Sequence, residues 1–265
     1  MTSWGSDLAG VRLCVIGASS GIGKAVAQAA HARGARVALA ARRIDLLEAL
    51  ADATSGSAFE LDVADPAAID DVLGAMAAEF GEIDAIVYTS AVVPFARVDE
   101  TDFTTWMHTF AVNAVGATQV MRAAAPHLSS DAVALITSSQ EAGRPRAGVA
   151  AYNASKAALD EIWRSWAAEH PSVNVIRVHL GPTSGTEILR GADRDVLEEL
   201  NRTWAQQGIT ADAVSEVADV ADMLLSLIAS ARRTPSVRLE AVHVVPRPQP
   251  DDSHRDHAAT SADEG

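Results

Sequence analysis

A glycine-rich turn connects the first predicted strand of the chain to its first predicted helix. The apolar, β-branched run at residues 11–16 is typical of a buried strand, and residues 24–33 have the apolar spacing of a helix. Glycines at such a turn allow a close approach of the backbone to a pyrophosphate, which the N–H groups at the helix start can bind. The turn therefore predicts a nucleotide site, although a flexible strand-to-helix connection would also explain it. The residues expected to contact the nucleotide are Gly17, Ser19, Ser20, Gly21, Ile22 and Gly23.

Strands and helices alternate along the rest of the chain. Further strands are predicted at residues 35–41, 58–61, 83–89, 132–137, 173–179 and 240–245. Further helices are predicted at residues 44–53, 66–80, 103–126, 150–169 and 215–229, with short ones around 195–206. Such alternation with right-handed crossovers produces a parallel sheet that is covered on both faces. We therefore expect an α/β fold, a Rossmann-type doubly wound parallel sheet of about seven strands with helices on both faces.

The chain is expected to contain one domain followed by a short tail. Residues 1–246 are expected to form a single NAD(P)-binding Rossmann domain, because no low-complexity linker divides them. Residues 247–265 are rich in Pro, Asp and His and are expected to form a disordered tail. The N-terminus lacks the basic and apolar regions of a signal peptide, and no stretch of about 18 apolar residues suggests a membrane helix. The expected compartment is the cytoplasm.

The net charge of −14 restricts the partners that the chain is expected to bind. An acidic chain lacks the basic footprint that non-specific nucleic-acid binding requires, and it would be repelled by an anionic membrane surface. The one cysteine, Cys14, excludes a disulfide within the chain and a zinc site built on cysteines. We therefore expect a small-molecule partner, with no nucleic acid, no membrane and no metal.

The residues after the second and third strands indicate which dinucleotide is preferred. An acidic residue after the second strand would bind the ribose 2′-hydroxyl of NAD(H), whereas an arginine suits the 2′-phosphate of NADP(H). Arg42 and Arg43 stand there, so NADP(H) is favoured over NAD(H), although both could be solvated loop charges. Asp62, followed by Val63, could bind the adenine amino group or cap the next helix.

A tyrosine and a lysine on a later helix form a candidate acid/base pair. Tyr152 and Lys156 are four positions apart, so a helix places them on one face, one turn apart. A lysine ammonium beside a phenol favours the phenolate and lowers the pKa of the phenol. Ser139, at the end of the preceding strand, would add a hydroxyl for a carbonyl or alcohol substrate. A surface tyrosine and lysine on an amphipathic helix would have the same spacing.

Together these features resemble the short-chain dehydrogenase/reductase family. The resemblance rests on the glycine turn, on Asn113 in the long predicted helix, on Ser139, and on Tyr152-x-x-x-Lys156 thirteen residues beyond that serine. It covers about residues 8–245. It implies an oxidoreductase that transfers a hydride between NADP(H) and an alcohol or carbonyl substrate.

The resemblance also implies a role for each of the four catalytic positions. Tyr152 would be the general acid/base that exchanges a proton with the substrate oxygen, and Ser139 would orient that oxygen. Lys156 would lower the pKa of the tyrosine and bind the nicotinamide ribose. Asn113 would hold a water that connects the lysine to bulk solvent, whereas without the family pattern it would simply bond to backbone.

The chain departs from the family pattern around the cofactor. Ile16 replaces a threonine before the first glycine, and Leu180 replaces a proline after the sixth strand. Tyr88-Thr89-Ser90-Ala91 replaces Asn-Asn-Ala-Gly after the fourth strand, which removes a glycine able to adopt positive φ. These departures bear on cofactor affinity and on nicotinamide orientation. The residues of these segments expected to contact the cofactor are Ser90, Ala91, Gly181, Thr183 and Thr186.

A second function remains open, as do the substrate and the assembly. The alternative is a dinucleotide-binding regulatory or scaffold protein with little or no turnover. The substrate walls are expected from residues 92–95, 141–143 and 183–208, which favour a hydrophobic carbonyl compound. The resemblance implies a homodimer or homotetramer formed through the helix near Trp106 and the helix with Trp163 and Trp166, although these last two could be core residues.

Overall fold

Seven parallel strands form one sheet in the computed structural model, which describes residues 7–209 and 213–248. The strands are β1 (Arg12–Ile16), β2 (Arg36–Ala41), β3 (Ser57–Glu60), β4 (Ile83–Tyr88), β5 (Leu128–Ser139), β6 (Asn174–Leu180) and β7 (Ala241–Val244). Their order across the sheet is β3-β2-β1-β4-β5-β6-β7, and every neighbouring pair is parallel. The predicted doubly wound parallel sheet is therefore confirmed.

Helices cover both faces of the sheet. They are α1 (Gly21–Ala32), α2 (Ile44–Thr54), α3 (Pro66–Phe80), α4 (Phe103–Phe110), α5 (Gly116–Ala124), α6 (Ala150–Glu169), α7 (Arg194–Gln206) and α8 (Val217–Arg233). One core cluster joins α1, α2 and α8 to the sheet, and a second joins α3, α5 and α6 to the opposite face. None of the helices in the described ranges is long and apolar enough to cross a membrane.

The alternation of side chains along β1 shows why its sequence is continuously apolar. Leu13 and Val15 point into the first cluster, whereas Cys14 and Ile16 point into the second. Successive side chains of a strand face opposite sides, so a strand with helices on both sides has no polar face. Burial also raises the pKa of the Cys14 thiol, which disfavours the reactive thiolate.

Several elements differ from their predicted bounds. The long helix predicted at 103–126 is interrupted by a π-helical turn at Ala111–Val115, which separates α4 from α5. The fifth strand begins at Leu128 and ends at Ser139, so it is longer than predicted. The segment expected to contain short helices forms one continuous helix, α7. Of the tail predicted from residue 247, all but residues 247 and 248 lie outside the described residues.

The strand order places a crevice beside β1. The chain passes from β1 outward to β3 on one side and then returns to β4 on the other side. In open parallel sheets, ligands bind at the carboxyl ends of the strands where the order reverses in this way. The glycine turn follows β1, and the altered segment 88–91 follows β4, so both lie at this crevice.

Candidate functional site

A cavity of about 470 Å³ runs along the carboxyl ends of the strands. It extends from Arg42 beside β2 to Trp204 on α7 and is bordered by the glycine turn. All of the predicted cofactor residues line it, as do Ser139, Tyr152 and Lys156. Asn113 is the one predicted site residue that does not contribute to its wall. The fold therefore gathers residues far apart in sequence into one elongated pocket.

The glycine turn is packed too tightly for side chains at two of its three glycines. Gly17 has a φ of +93°, and a Cβ there would lie 2.7 Å from the Ser90 nitrogen and from the Thr89 hydroxyl oxygen. A Cβ on Gly23 would lie 2.3 Å from the Gly17 carbonyl oxygen. At Gly21, whose φ is +51°, the nearest atom would be 3.4 Å away. Close backbone packing at Gly17 and Gly23, with only ordinary contact over Gly21, fits the cradle that a pyrophosphate requires.

The replaced segment after β4 supports the turn and forms its own hydrogen bonds. The Thr89 hydroxyl donates to the Ile16 carbonyl at 3.0 Å, and the Tyr88 hydroxyl donates to the Val112 carbonyl at 2.6 Å. Among the described residues, Ser55 is the only non-glycine with positive φ, so Ala91 adopts a conformation open to any residue. The hydroxyls of Tyr88 and Thr89 therefore have partners, and no residue at 88–91 adopts a positive φ.

The Asn113 side chain is buried and forms hydrogen bonds to two neighbouring segments of the site. It lies in the π-helical turn with none of its surface exposed. The Val92 N–H donates to its Oδ1 at 2.8 Å, and its Nδ2 donates to the Val92 carbonyl at 2.9 Å and to Ser155 Oγ at 3.0 Å. Both amide hydrogens are used, so the side chain fixes the loop after β4 to the helix of Tyr152. The role of Asn113 in holding a water stays a prediction.

Ser139, Tyr152 and Lys156 meet at one end of the cavity. Ser139 is the last residue of β5, and its Oγ accepts a hydrogen bond from the Glu141 N–H at 3.1 Å. Tyr152 and Lys156 lie on one face of α6, with the ammonium nitrogen 5.9 Å from the centre of the phenol ring. The ammonium donates to the Thr137 carbonyl at 2.8 Å, which anchors it against β5.

The pKa of Tyr152 corrects the expectation drawn from the helix spacing. Burial raises the pKa of the phenol, hydrogen bonding by Ser139 lowers it, and the Glu141 carboxylate raises it further, with a net increase. We expected Lys156 to lower this pKa, but desolvation dominates because the neutral phenol is favoured in an apolar surrounding. The raised pKa favours the neutral, protonated phenol.

Lys156 is itself perturbed by its position. Burial lowers the pKa of its ammonium to about 8, while Asp160 acts in the opposite direction. Only about 2% of the residue is exposed, so the charge depends on the carbonyl and carboxylate around it. A buried, hydrogen-bonded lysine of this kind is unlike the solvated surface residue that the spacing alone would also allow.

Arg42 and Arg43 differ in their surroundings. Arg42 is exposed at the edge of the cavity. Arg43 reaches back over the glycine turn, where its Nη2 donates to Ser19 Oγ at 3.0 Å and to Ser20 Oγ at 2.9 Å. The same nitrogen lies 2.9 Å from a carboxylate oxygen of Glu187, a residue that the sequence did not single out. Arg43 is therefore a fixed part of the site.

Asp62 does not cap the helix that follows it, and its contact with an adenine amino group stays a prediction. Its carboxylate accepts from the Ala64 N–H at 2.9 Å in the turn after β3, and it lines the cavity together with Val63. The cap of α3 is Asp65, whose side chain accepts from the Ala67 N–H. The expectation that Asp62 caps this helix is therefore wrong.

The segment after β6 closes the far wall of the cavity. The hydroxyl of Thr183 donates to the Gly181 carbonyl at 3.0 Å, and that of Thr186 donates to the Thr183 carbonyl at 3.3 Å. Gly181 lacks space for a side chain, since a Cβ would lie 2.7 Å from Pro246. Leu180, which stands where the family has a proline, is an apolar residue buried at the end of β6. The two threonine hydroxyls thus form hydrogen bonds within this segment and stabilise its turn beside the cavity.

The wall above Ser139 contains charged residues that sequence reasoning only partly found. Glu141 was expected there, but its partner Arg146 was not; their side chains approach to 3.0 Å. The Arg146 guanidinium lies 5.4 Å from the ring centre of Trp204, whose indole donates to the Ala147 carbonyl at 2.9 Å. Arg146 lies in an irregular loop, where no sequence spacing predicts which residues it will contact. The Glu141–Arg146 pair is therefore visible only in the folded structure.

A doubly wound sheet with a tight glycine turn at its reversal point defines a dinucleotide-binding protein of the Rossmann class. The sequence profile of the short chain dehydrogenase family matches residues 12–197. The chain therefore belongs to the short-chain dehydrogenase/reductase family, a family of oxidoreductases.

Two curated proteins with similar sequences differ in how much of their own length this chain covers. Glycine betaine reductase ATRR of Emericella nidulans is 28% identical over 250 residues, which are 92% of this chain but 19% of that protein. The 2,3-dihydro-2,3-dihydroxybenzoate dehydrogenase of Bacillus subtilis is 28% identical over 228 residues, covering 81% of this chain and 87% of that one. The chain thus spans about a fifth of the first relative and most of the second.

The solved structures include a similar short chain dehydrogenase from Burkholderia cenocepacia in complex with NADP. It is 28% identical, with a TM-score of 0.75, and the alignment covers 90% of this chain and 98% of that one. The similarity therefore extends over almost the whole described fold.

Proposed function

We propose that this protein is an NADP(H)-dependent oxidoreductase that interconverts an alcohol and a carbonyl compound. The observation that carries the proposal is the meeting of Ser139, Tyr152 and Lys156 at one end of a cavity whose other end is the glycine turn. This arrangement supplies a proton donor, an oxygen-binding hydroxyl and a fixed cation beside a dinucleotide cradle.

Bound nicotinamide would supply or accept the hydride, and the protein residues would handle the oxygen and its proton. The Glu141 N–H occupies one lone pair of Ser139 Oγ. The serine hydroxyl, which hydrogen-bonds to Tyr152, would turn its hydrogen towards the substrate oxygen when a substrate binds. Tyr152, whose raised pKa favours the protonated phenol, would donate to the same oxygen during reduction. Lys156, fixed by the Thr137 carbonyl, would hold positive charge beside the phenol and bind ribose hydroxyls.

Asn113 would act as a positioning residue in this scheme. Its side chain ties Val92, on the wall of the cavity, to Ser155, which lies between Tyr152 and Lys156 on α6. The π-helical turn that carries Asn113 is a feature often found at functional sites. We propose that Asn113 keeps α6, the helix of Tyr152 and Lys156, at a fixed distance from the cavity wall at Val92.

NADP(H) is the proposed cofactor, with NAD(H) less favoured. Arg42 and Arg43 follow β2, and the Arg43 guanidinium with the hydroxyls of Ser19 and Ser20 forms a set of donors suited to a phosphate monoester. Asp62, Val63, Ser90 and Ala91 would surround the adenosine, and Thr183 or Thr186 would face the carboxamide. The related Burkholderia cenocepacia structure is a complex with NADP, which supports this choice.

A panel assay tests the proposed function. We expect NADPH to be consumed with at least one ketone, aldehyde or quinone, and with a higher kcat/KM than NADH. The apolar residues Val92, Val93 and Phe95 in the wall favour hydrophobic carbonyl compounds. Bound NADP(H) without turnover on any substrate would instead favour a regulatory or scaffold protein.

Replacing Glu141 with Gln should shift the pH dependence of alcohol oxidation. Oxidation requires the Tyr152 phenolate, so its rate rises with pH towards the pKa of that phenol. The Glu141 carboxylate raises this pKa, so the neutral amide should move the rising limb to lower pH. Profiles of kcat/KM against pH, with Glu161→Gln on the exposed face of α6 as the matched control, measure the shift. An unchanged midpoint would contradict the assigned effect of Glu141.

A homodimer or homotetramer is proposed from the surface of α4. Phe103 and Met107 are 78% and 53% exposed, and Val115 beyond the helix is 50% exposed, so this side of the molecule carries large apolar side chains. Trp163 and Trp166 are buried in the second core cluster, so they belong to the core and not to a subunit contact. A mass measurement in solution decides the assembly, and a monomer would contradict the proposal.

A further inference from the structure

Glu187 places a carboxylate at the donors that we assign to a phosphate. It lies in the segment between β6 and α7, and its Oε2 is 2.9 Å from Arg43 Nη2 and 3.5 Å from Arg190 Nη1. Arg43 Nη2 also donates to the hydroxyl oxygens of Ser19 and Ser20. The carboxylate therefore joins the segment after β6 to the glycine turn across the cavity.

The donor capacity of this arginine nitrogen is fully used by these contacts. Arg43 Nη2 carries two hydrogens and has three oxygen atoms within 3.0 Å: one from Ser19, one from Ser20 and one from Glu187. A phosphate oxygen that approached this nitrogen would have to replace one of them. The carboxylate is the only charged member of the three, and a phosphate dianion beside it would be repelled.

The carboxylate is held in its ionised form. Hydrogen bonding by Arg43 lowers the pKa of Glu187, with smaller lowering effects from Ser20 and Arg190. Its side chain is 43% exposed, so it can leave the arginine without opening the core. Exposed ion pairs stabilise proteins little, and the pair can therefore exchange for a ligand at modest cost.

We propose that Glu187 is a specificity-determining residue that competes with the 2′-phosphate of NADP(H) for Arg43. This inference rests on the proposed NADP(H) function. Binding of the 2′-phosphate would release the Arg43–Glu187 pair, whereas NAD(H), which has no such phosphate, would leave the pair intact. Glu187 thereby weakens the preference for NADP(H) and couples cofactor choice to the segment at 183–190.

Calorimetric titration with adenosine nucleotides tests this competition without turnover. The protein is titrated with 2′,5′-ADP, which carries the 2′-phosphate, and with 5′-AMP, which lacks it. Glu187→Gln should bind 2′,5′-ADP about three- to tenfold more tightly and 5′-AMP unchanged, since a weak exposed pair is removed. Glu198→Gln is the control, because it removes the same charge from an exposed position on α7 that does not line the cavity. This variant should bind both nucleotides as tightly as the wild type. Arg43→Gln should lose the preference for 2′,5′-ADP.

The outcomes separate this inference from the proposed function. Equal or weaker binding of 2′,5′-ADP by Glu187→Gln, in a variant that melts like the wild type, would overturn the competition. Equal tightening of both nucleotides would also overturn it, because the effect would then be independent of the 2′-phosphate. Failure of the wild type to bind either nucleotide overturns this inference together with the cofactor proposal. Nucleotide binding without turnover on any substrate would contradict the proposed oxidoreductase function and leave the competition at Arg43 standing.

Discussion

Tyr152→Phe is expected to lower kcat by a factor of about 10²–10⁴, the usual contribution of general acid–base catalysis. The substitution keeps the ring of Tyr152 between Ser139 and Lys156 and removes only the group that donates the proton. NADPH binding should change little, because the glycine turn and Arg43 are untouched. Steady-state rates with an active carbonyl substrate, combined with calorimetric titration of NADPH, separate the loss of catalysis from a loss of binding.

The other tyrosine of the chain provides a matched control. Tyr88 is buried, and its hydroxyl donates to the Val112 carbonyl at 2.6 Å. Tyr88→Phe leaves that buried carbonyl without this donor and should cost about 1–3 kcal/mol of the free energy of unfolding, while retaining most of the turnover. Equal losses of kcat in Tyr88→Phe and Tyr152→Phe would show that the phenol of Tyr152 has no special chemical role.

Gly23→Ala should destabilise the glycine turn and abolish tight NADPH binding. The new Cβ would lie 2.3 Å from the Gly17 carbonyl oxygen and 2.6 Å from the Thr89 hydroxyl oxygen, so the backbone must move. Overpacking of this kind typically costs about 1–3 kcal/mol of unfolding free energy, and the displaced N–H groups would no longer face a phosphate. Urea unfolding and NADPH titration measure the two effects.

Gly74→Ala is the control for this substitution. Gly74 lies within α3, where a Cβ would meet no atom within 4 Å. Alanine is the better helix former, so this variant should be stabilised by up to about 1 kcal/mol with unchanged NADPH binding. Similar stability and similar NADPH affinity in Gly23→Ala and Gly74→Ala would contradict the packing role of the turn.

The architecture was predictable because the buried strands leave a clear pattern. A sheet covered on both faces requires continuously apolar strands such as β1, and the glycine turn marks where the first helix must start close to the strand. The π-helical turn at Ala111–Val115 was not predictable, because it adds one residue to a helix without changing composition. It depends on tertiary contacts, including the bonds from Asn113 to Val92.

The site was predictable in its members but less so in their interactions. Residues such as Ser139 and Tyr152 stand at strand ends or helix faces, and the topology brings these to one edge. The raised pKa of Tyr152 depends on burial, and the Arg43–Glu187 pair joins residues 144 positions apart. Neither property follows from local spacing, because both depend on which loops close over the cavity.

Transfer of deuterium from NADPH labelled at nicotinamide C4 tests the central proposal most directly. The wild-type enzyme, supplied with an active carbonyl substrate and NADPH labelled on either face, should yield an alcohol that carries deuterium on the former carbonyl carbon. The label should come from one face of the nicotinamide only, and Tyr152→Phe should form the labelled product far more slowly. Oxidation of NADPH without deuterium on that carbon, or NADPH binding with no alcohol formed from any carbonyl, would contradict the account.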